Sequence, residues 1–155
     1  SLDQLYPPMK AKLQGLSQKE AVQQLMWWIH GAIDTEGKIK NANCILYNYD
    51  DNVWGYDRNF FAEETLFYPY CDCEDRSILL SHLVRDLLDL DVVLVYYPGH
   101  LAMAVNFTEP VKGDYVMLDG RKFIVCDPTY IGCHVGETMA GMEDQPVTAI
   151  LLNRL

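Results

Sequence analysis

Tyr70-Cys71-Asp72-Cys73-Glu74-Asp75-Arg76-Ser77 opens the most regular helical pattern in the chain. Behind it Leu79, Leu80, Leu83, Val84, Leu87 and Leu88 recur at helical spacing, which predicts a helix from about Cys73 to Leu90. Asp72 is a natural N-cap, and Glu74 and Asp75 in the first turn suit the positive end of the helix dipole. At about 100° per residue, Cys73 falls on the line of Ser77, Leu80 and Val84, the centre of the apolar stripe. Cys73 therefore points at whatever this helix packs on. Cys71 precedes the cap and carries no such constraint.

Downstream the period changes to two. Val92 to Tyr97 is a β-rich run, Pro98-Gly99 a turn, and His100 to Phe107 an alternating strand. His100, Ala102, Ala104 and Asn106 share one face of that strand, and Leu101, Met103, Val105 and Phe107 the other. Tyr115 to Leu118 and Arg121 to Cys126 flank Asp119-Gly120, the two-residue signal of a type I′ hairpin. Phe123, Val125 and Asp127 lie on one side of it, Ile124 and Cys126 on the other. Val147 to Leu152 can add an edge strand. Helices first and hairpins afterwards predict an α+β fold, with an antiparallel sheet packed on the Cys73 helix.

Upstream, Leu5-Tyr6-Pro7-Pro8 reads as an extended lead-in. Ser17-Gln18-Lys19-Glu20 has the form of a capping box. Val22, Leu25, Met26, Ile29 and Ile33 then predict a helix over about 18–33. From Asn41 to Tyr70 the pattern is irregular and aromatic: either loops pinned to a core by aromatic anchors, or the wall of a cleft.

The chain has 155 residues, read as a single domain, 1–155, that can belong to a longer protein. Hydrophobic residues make up 50% and charged residues 22%, an ordinary globular balance with no membrane-spanning run. The net charge of −10 argues against nucleic acid and against an anionic membrane as partner, since either needs a basic patch. Ser1 opens the chain, so a removed export leader, and with it an extracytoplasmic location, stays open. Five cysteines leave at least one thiol outside any set of intrachain disulfides.

A thiol attacks a carbonyl carbon as thiolate, so it needs a partner that removes its proton. The free N–H groups at a helix start favour an anion and can receive an oxyanion, whereas Asp72, Glu74 and Asp75 oppose a thiolate by like charge. A histidine partner is therefore required. His100 opens a strand, followed on its face by two alanines, and Asp127 ends a hairpin strand where it can accept an imidazole N–H.

Three blocks now stand together: Asp72-Cys73-Glu74-Asp75-Arg76-Ser77, Gly99-His100-Leu101-Ala102-Met103-Ala104-Val105, and Cys126-Asp127-Pro128-Thr129-Tyr130. They resemble the motif blocks of the transglutaminase-like superfamily, a papain-like fold group that includes transglutaminases, peptide N-glycanases and bacterial cysteine proteases. The resemblance covers about Phe60 to Tyr130. It implies Cys73 as nucleophile, His100 as general base and acid, and Asp127 as orienting carboxylate, acting on a peptide or protein substrate. Leu101 and Ala102 stand where an aromatic residue often follows the family histidine, and Phe123 replaces a frequent tryptophan. Both departures leave the trio intact and count against a transglutaminase-like acceptor site, which favours hydrolysis over transamidation. A second oxyanion donor is expected upstream, with Trp54 as first candidate and Gln23, Gln24 and His30 as others. Tyr56, Tyr70 and Ser77 are candidate cleft residues.

The proposed chemistry needs no metal or organic cofactor, and no calcium loop, phosphate loop or dinucleotide fingerprint is present. Cys71, Cys73, Cys126, Cys133 and His134 supply enough soft ligands for zinc, at a spacing uncommon in fingers. A Cys71–Cys73 or Cys126–Cys133 disulfide is the redox alternative. A catalytically silent interaction module is the non-enzymatic one.

Overall fold

The computed structural model describes residues 2–30, 46–47, 49, 52, 54–68 and 70–152. Two helices lead, α1 (Leu2–Leu13) and α2 (Gln18–His30). A short helix α3 (Ala62–Phe67) and two paired parallel strands, β1 (Leu46–Tyr47) and β2 (Tyr70–Cys71), follow. Next come α4 (Cys73–Leu88), β3 (Asp91–Tyr97) and β4 (His100–Asn106). β5 (Tyr115–Leu118), β6 (Arg121–Cys126) and β7 (Thr148–Leu151) complete the antiparallel sheet, in the order β5-β6-β4-β3-β7. The architecture is α+β, as expected.

α4 is the hub. It packs on β3 and β4 and takes α2 and α3 against its other sides. Leu79, Leu80, Leu83 and Val84 are buried together with Val92, Leu94, Leu101, Met103 and Val105 of the sheet. Removing any of these leucines to alanine would cost about 2–5 kcal/mol. Left-handed Asp89 (φ 54°) closes the helix, two residues short of the expected end at Leu90.

The edge strands β5 and β7 approach one another, so the sheet is curled. Val93, Val95, Ala104 and Phe123 fill the face turned away from α4. The expected hairpin turn at Asp119-Gly120 is present, with both residues at positive φ (52° and 73°), as a type I′ turn demands. β7 is the expected edge strand, paired with β3.

The N-terminal expectation was wrong. Pro7 and Pro8 lie inside α1, where each forfeits a backbone hydrogen bond. Leu2 and Leu13 are nevertheless buried, Leu5, Tyr6 and Met9 pack on the core, and the Tyr6 hydroxyl donates to Asp86 of α4. Burial at about 1.5–3 kcal/mol per large apolar side chain outweighs the proline penalty of about 3 kcal/mol each. The Ser17–Glu20 capping box forms as read, each side chain accepting the other's N–H. α2 is described as far as His30, and the expected helical positions 31–33, Ile33 among them, lie outside the described residues. No helix among the described residues is long and apolar enough to cross a membrane.

Irregular chain from 127 to 147 is bound to the sheet by main-chain hydrogen bonds. Gly136 N–H donates to the Val125 carbonyl (2.7 Å) and Asp114 N–H to the Gly136 carbonyl (2.8 Å). A Cβ on Gly136, which holds φ 88°, would stand 2.7 Å from the Gly113 Cα and 2.9 Å from the Lys112 carbonyl oxygen. Gly136→Ala is therefore expected to destabilise the protein by roughly 2–3 kcal/mol, through backbone strain and a clash with main chain. A urea titration showing a lower midpoint at unchanged slope would confirm it, and an unshifted midpoint would refute it.

Candidate active site

The cap of α4 is built by its own acids. The Asp72 carboxylate accepts the N–H groups of Glu74 (3.1 Å) and Asp75 (3.4 Å), and Asp75 reaches back to the Asp72 N–H (3.1 Å). Asp75 is fully buried, and its other oxygen accepts the Phe60 N–H at 2.9 Å, tying the aromatic segment to the helix start. Arg76 N–H bonds the Asp72 carbonyl, while the Cys73 N–H stays outside these bonds. Acids read as opponents of a thiolate are thus largely engaged with backbone N–H groups.

Strand register brings the other two residues together. Ala104 faces Val125 across β4 and β6, so continuing the pairing sets Ala102 opposite Asp127 and makes His100 its diagonal neighbour on the same face. The His100 Nε2–H donates to Asp127 Oδ2 at 2.6 Å, with both residues buried. The second Asp127 oxygen, Oδ1, accepts the N–H groups of Thr129 (2.8 Å) and Tyr130 (3.1 Å), a turn closed over Pro128. Asp127 is therefore held at both oxygens.

Cys73 meets this pair where β4 begins. Ser77, one turn along α4, donates its hydroxyl to the Leu101 carbonyl at 3.1 Å and pins the helix to the strand beside His100. His100 hydrogen-bonds Cys73 as well as Asp127; with Nε2 committed to the carboxylate, Nδ1 is the nitrogen left for the thiol. Burial opposes the imidazolium, but the hydrogen bonds and charges of Asp127 and Cys73 outweigh it and lift His100 from 6.5 to about 9. The Tyr97 ring lies over the imidazole, centroids 6.1 Å apart and planes inclined by 29°.

Cys73 and His100 open onto a cavity of about 290 Å³, walled by Tyr49, Asp57, Glu74, Tyr96 and Tyr97. Three expected cleft residues are not among its lining. Ser77 is fully buried and spent on Leu101, Tyr56 is exposed, and Tyr70 sits in β2. Trp54 does not line the cavity either; its indole packs edge-on against Phe60 and Tyr68. Both readings of the aromatic segment hold in part: Phe60 is a buried anchor, and Tyr49 walls the cavity. Tyr96 and Tyr97 went unrecognised in the sequence because strand alternation gives no sign of where a strand end meets a cavity.

The remaining soft ligands are dispersed. Cys71, Cys73, Cys126 and Cys133 are free thiols, and among the described residues no three of His, Cys, Asp and Glu converge on a metal-sized site. Burial pushes the Cys71 thiol up, although the Arg76 Nε–H donates to its sulfur at 3.2 Å and pulls the other way. Burial likewise raises Cys126 well above the ordinary range and Cys133 to about 12. His134 lies on the surface beside Glu137 and the Trp27 ring. Gln23 and His30, considered as oxyanion donors, are buried and bonded instead to the loop after Asp127.

The sequence matches no protein-family model and no curated protein.

Because the folded value of His100 lies above its ordinary 6.5, the stability this group contributes is complete below about pH 6.5 and is lost as pH rises through about 9. An NMR titration of the imidazole should show a midpoint near 9. Asp127→Asn should bring it down sharply, since burial then acts with one partner fewer. A midpoint near 6.5 in the unmutated protein would refute the ion-paired arrangement.

Proposed function

We propose that this protein is a thiol-dependent hydrolase or acyl transferase of the transglutaminase-like kind, acting on peptide or amide bonds. The observation that carries the reading is the continuous chain from Cys73 through His100 to Asp127, opening onto the cavity beneath Tyr97. A cysteine at a helix start, packed on an antiparallel sheet that supplies histidine and aspartate, is also what a papain-like core calls for.

The chemistry follows from the positions. His100, held as imidazolium by Asp127, stabilises a thiolate at Cys73. The sulfur attacks the carbonyl carbon, and the oxyanion that forms is stabilised by the Cys73 N–H at the positive end of α4. As the tetrahedral intermediate collapses, the C–N bond breaks and the amine leaves with a proton from His100. Neutral His100 then takes a proton from water, which attacks the thioester, expels the Cys73 sulfur as thiolate, releases the acid and restores the thiolate–imidazolium pair. An amine in place of water would complete a transamidation. Hydrolysis is favoured because Leu101, Ala102 and Phe123 depart from the residues frequent at these positions in the group the chain resembles.

Iodoacetamide should label Cys73 ahead of Cys71, Cys126 and Cys133 at neutral pH, and His100→Ala should remove that preference. With a peptide library and an amine acceptor present, Cys73→Ala should lose roughly 10³-fold or more of any turnover. Activity should fall as pH rises past about 9, because amine release needs the imidazolium as acid. Labelling of Cys73 no faster than of an unfolded thiol, together with no turnover, would overturn the proposal.

A further inference from the structure

We infer that Gln23 and His30 are positioning residues for the Asp127 carboxylate, acting from helix α2 on the loop that follows it. The two are seven residues apart, so they lie on one face of α2, and both are buried against the chain from 127 to 135. Gln23 Nε2–H donates to the Cys133 carbonyl (3.4 Å), and its Oε1 accepts the Val135 N–H (2.7 Å). His30 Nε2–H donates to the Asp127 carbonyl (3.0 Å), and its Nδ1 accepts the Gly132 N–H (3.3 Å).

Two side chains thus satisfy four main-chain groups of a segment that forms no strand or helix. Buried backbone must be paired somewhere, and here α2 takes the place of a strand partner. Only neutral His30, with its proton on Nε2, can donate to one group and accept from the other. Burial favours that neutral form by holding the ring below its ordinary value.

The effect reaches Asp127 through its own main chain. The Asp127 carbonyl accepts from His30 and also from the Cys133 thiol at 3.3 Å. Its Oδ1 is held by the Thr129 and Tyr130 N–H groups, which belong to the same loop. With carbonyl and Oδ1 both anchored, Oδ2 is left facing His100. Freeing the loop lets this turn pivot, and an orienting group tolerates about 0.5 Å of misplacement. The functional meaning of this clamp rests on the proposed thiol chemistry, but its test does not.

The test compares His30→Ala, His30→Gln and Gln23→Met with the unmutated protein, by NMR titration of His100, by the iodoacetamide rate at Cys73 at pH 7, and by thermal unfolding. His30→Ala should slow alkylation roughly tenfold or more and bring the His100 midpoint down from about 9. His30→Gln keeps a donor and an acceptor and should recover most of both. Gln23→Met, which preserves volume, should move both readouts in the same direction by less, and supplies a folded sample if His30→Ala does not fold. Folded variants with lower melting temperatures, a His100 midpoint still near 9 and alkylation within about twofold would overturn the inference. None of the three readouts needs a substrate, so a protein that turns over no peptide would count against the hydrolase reading while leaving this one to stand or fall by itself.

Discussion

The antiparallel register of β4 against β6 is the constraint on which the site depends. It pairs Ala104 with Val125, and from that pairing His100 and Asp127 fall diagonally on one face. Side chains alternate along a strand, so a slip of one residue would send the two to opposite faces and break their 2.6 Å hydrogen bond. The register is in turn held by burial. Leu101, Met103 and Val105 of β4 and Ile124 and Cys126 of β6 must all face α4, and the slip would turn one strand's set away from it. Core packing and site geometry are set by the same alternation.

The electrostatics of the site follow from how its charges are occupied. The α4 start carries Asp72, Glu74 and Asp75, which taken as free charges would oppose a thiolate. Asp72 and Asp75 instead accept backbone N–H groups from one another's surroundings, and Asp75 holds Phe60 as well. Buried beside the cap, Arg76 faces Cys71 rather than Cys73. Burial alone would favour a neutral imidazole, but Asp127 and Cys73 reverse that balance. Asp127 keeps its orientation because a turn over Pro128 and the α2 side chains act on the same short loop.

Much of this was legible in the chain because it rests on local pattern. The α4 stripe, the Asp72 cap, the Asp119-Gly120 turn and the β4 alternation each follow from a few neighbouring residues. The misreadings share a different cause. Pro7 and Pro8 were read by propensity, yet tertiary burial of Leu2 and Leu13 overrode it. Ser77 is expected in the cleft, whereas its hydroxyl joins the helix to Leu101. Trp54 and Tyr56 were read from residue type, which says nothing about distance from a cavity. Gln23 and His30 share a helical face legible from their spacing, but the groups they serve lie about a hundred residues on.

The sequence by itself determined which residues can do the chemistry and on which element each stands. Cys73 begins a helix, His100 begins a strand and Asp127 ends a hairpin because capping, turn chemistry and alternation are short-range effects. Tertiary structure alone decided the distances between them, which groups their other bonds serve, and which aromatic side chains wall the cavity. Those depend on register and on helix-to-sheet packing, and both are set by burial of the whole core rather than by any one segment. The opening stretch shows the division: sequence capped the helix and aimed Cys73 inward, and the fold placed His100 where that aim ends.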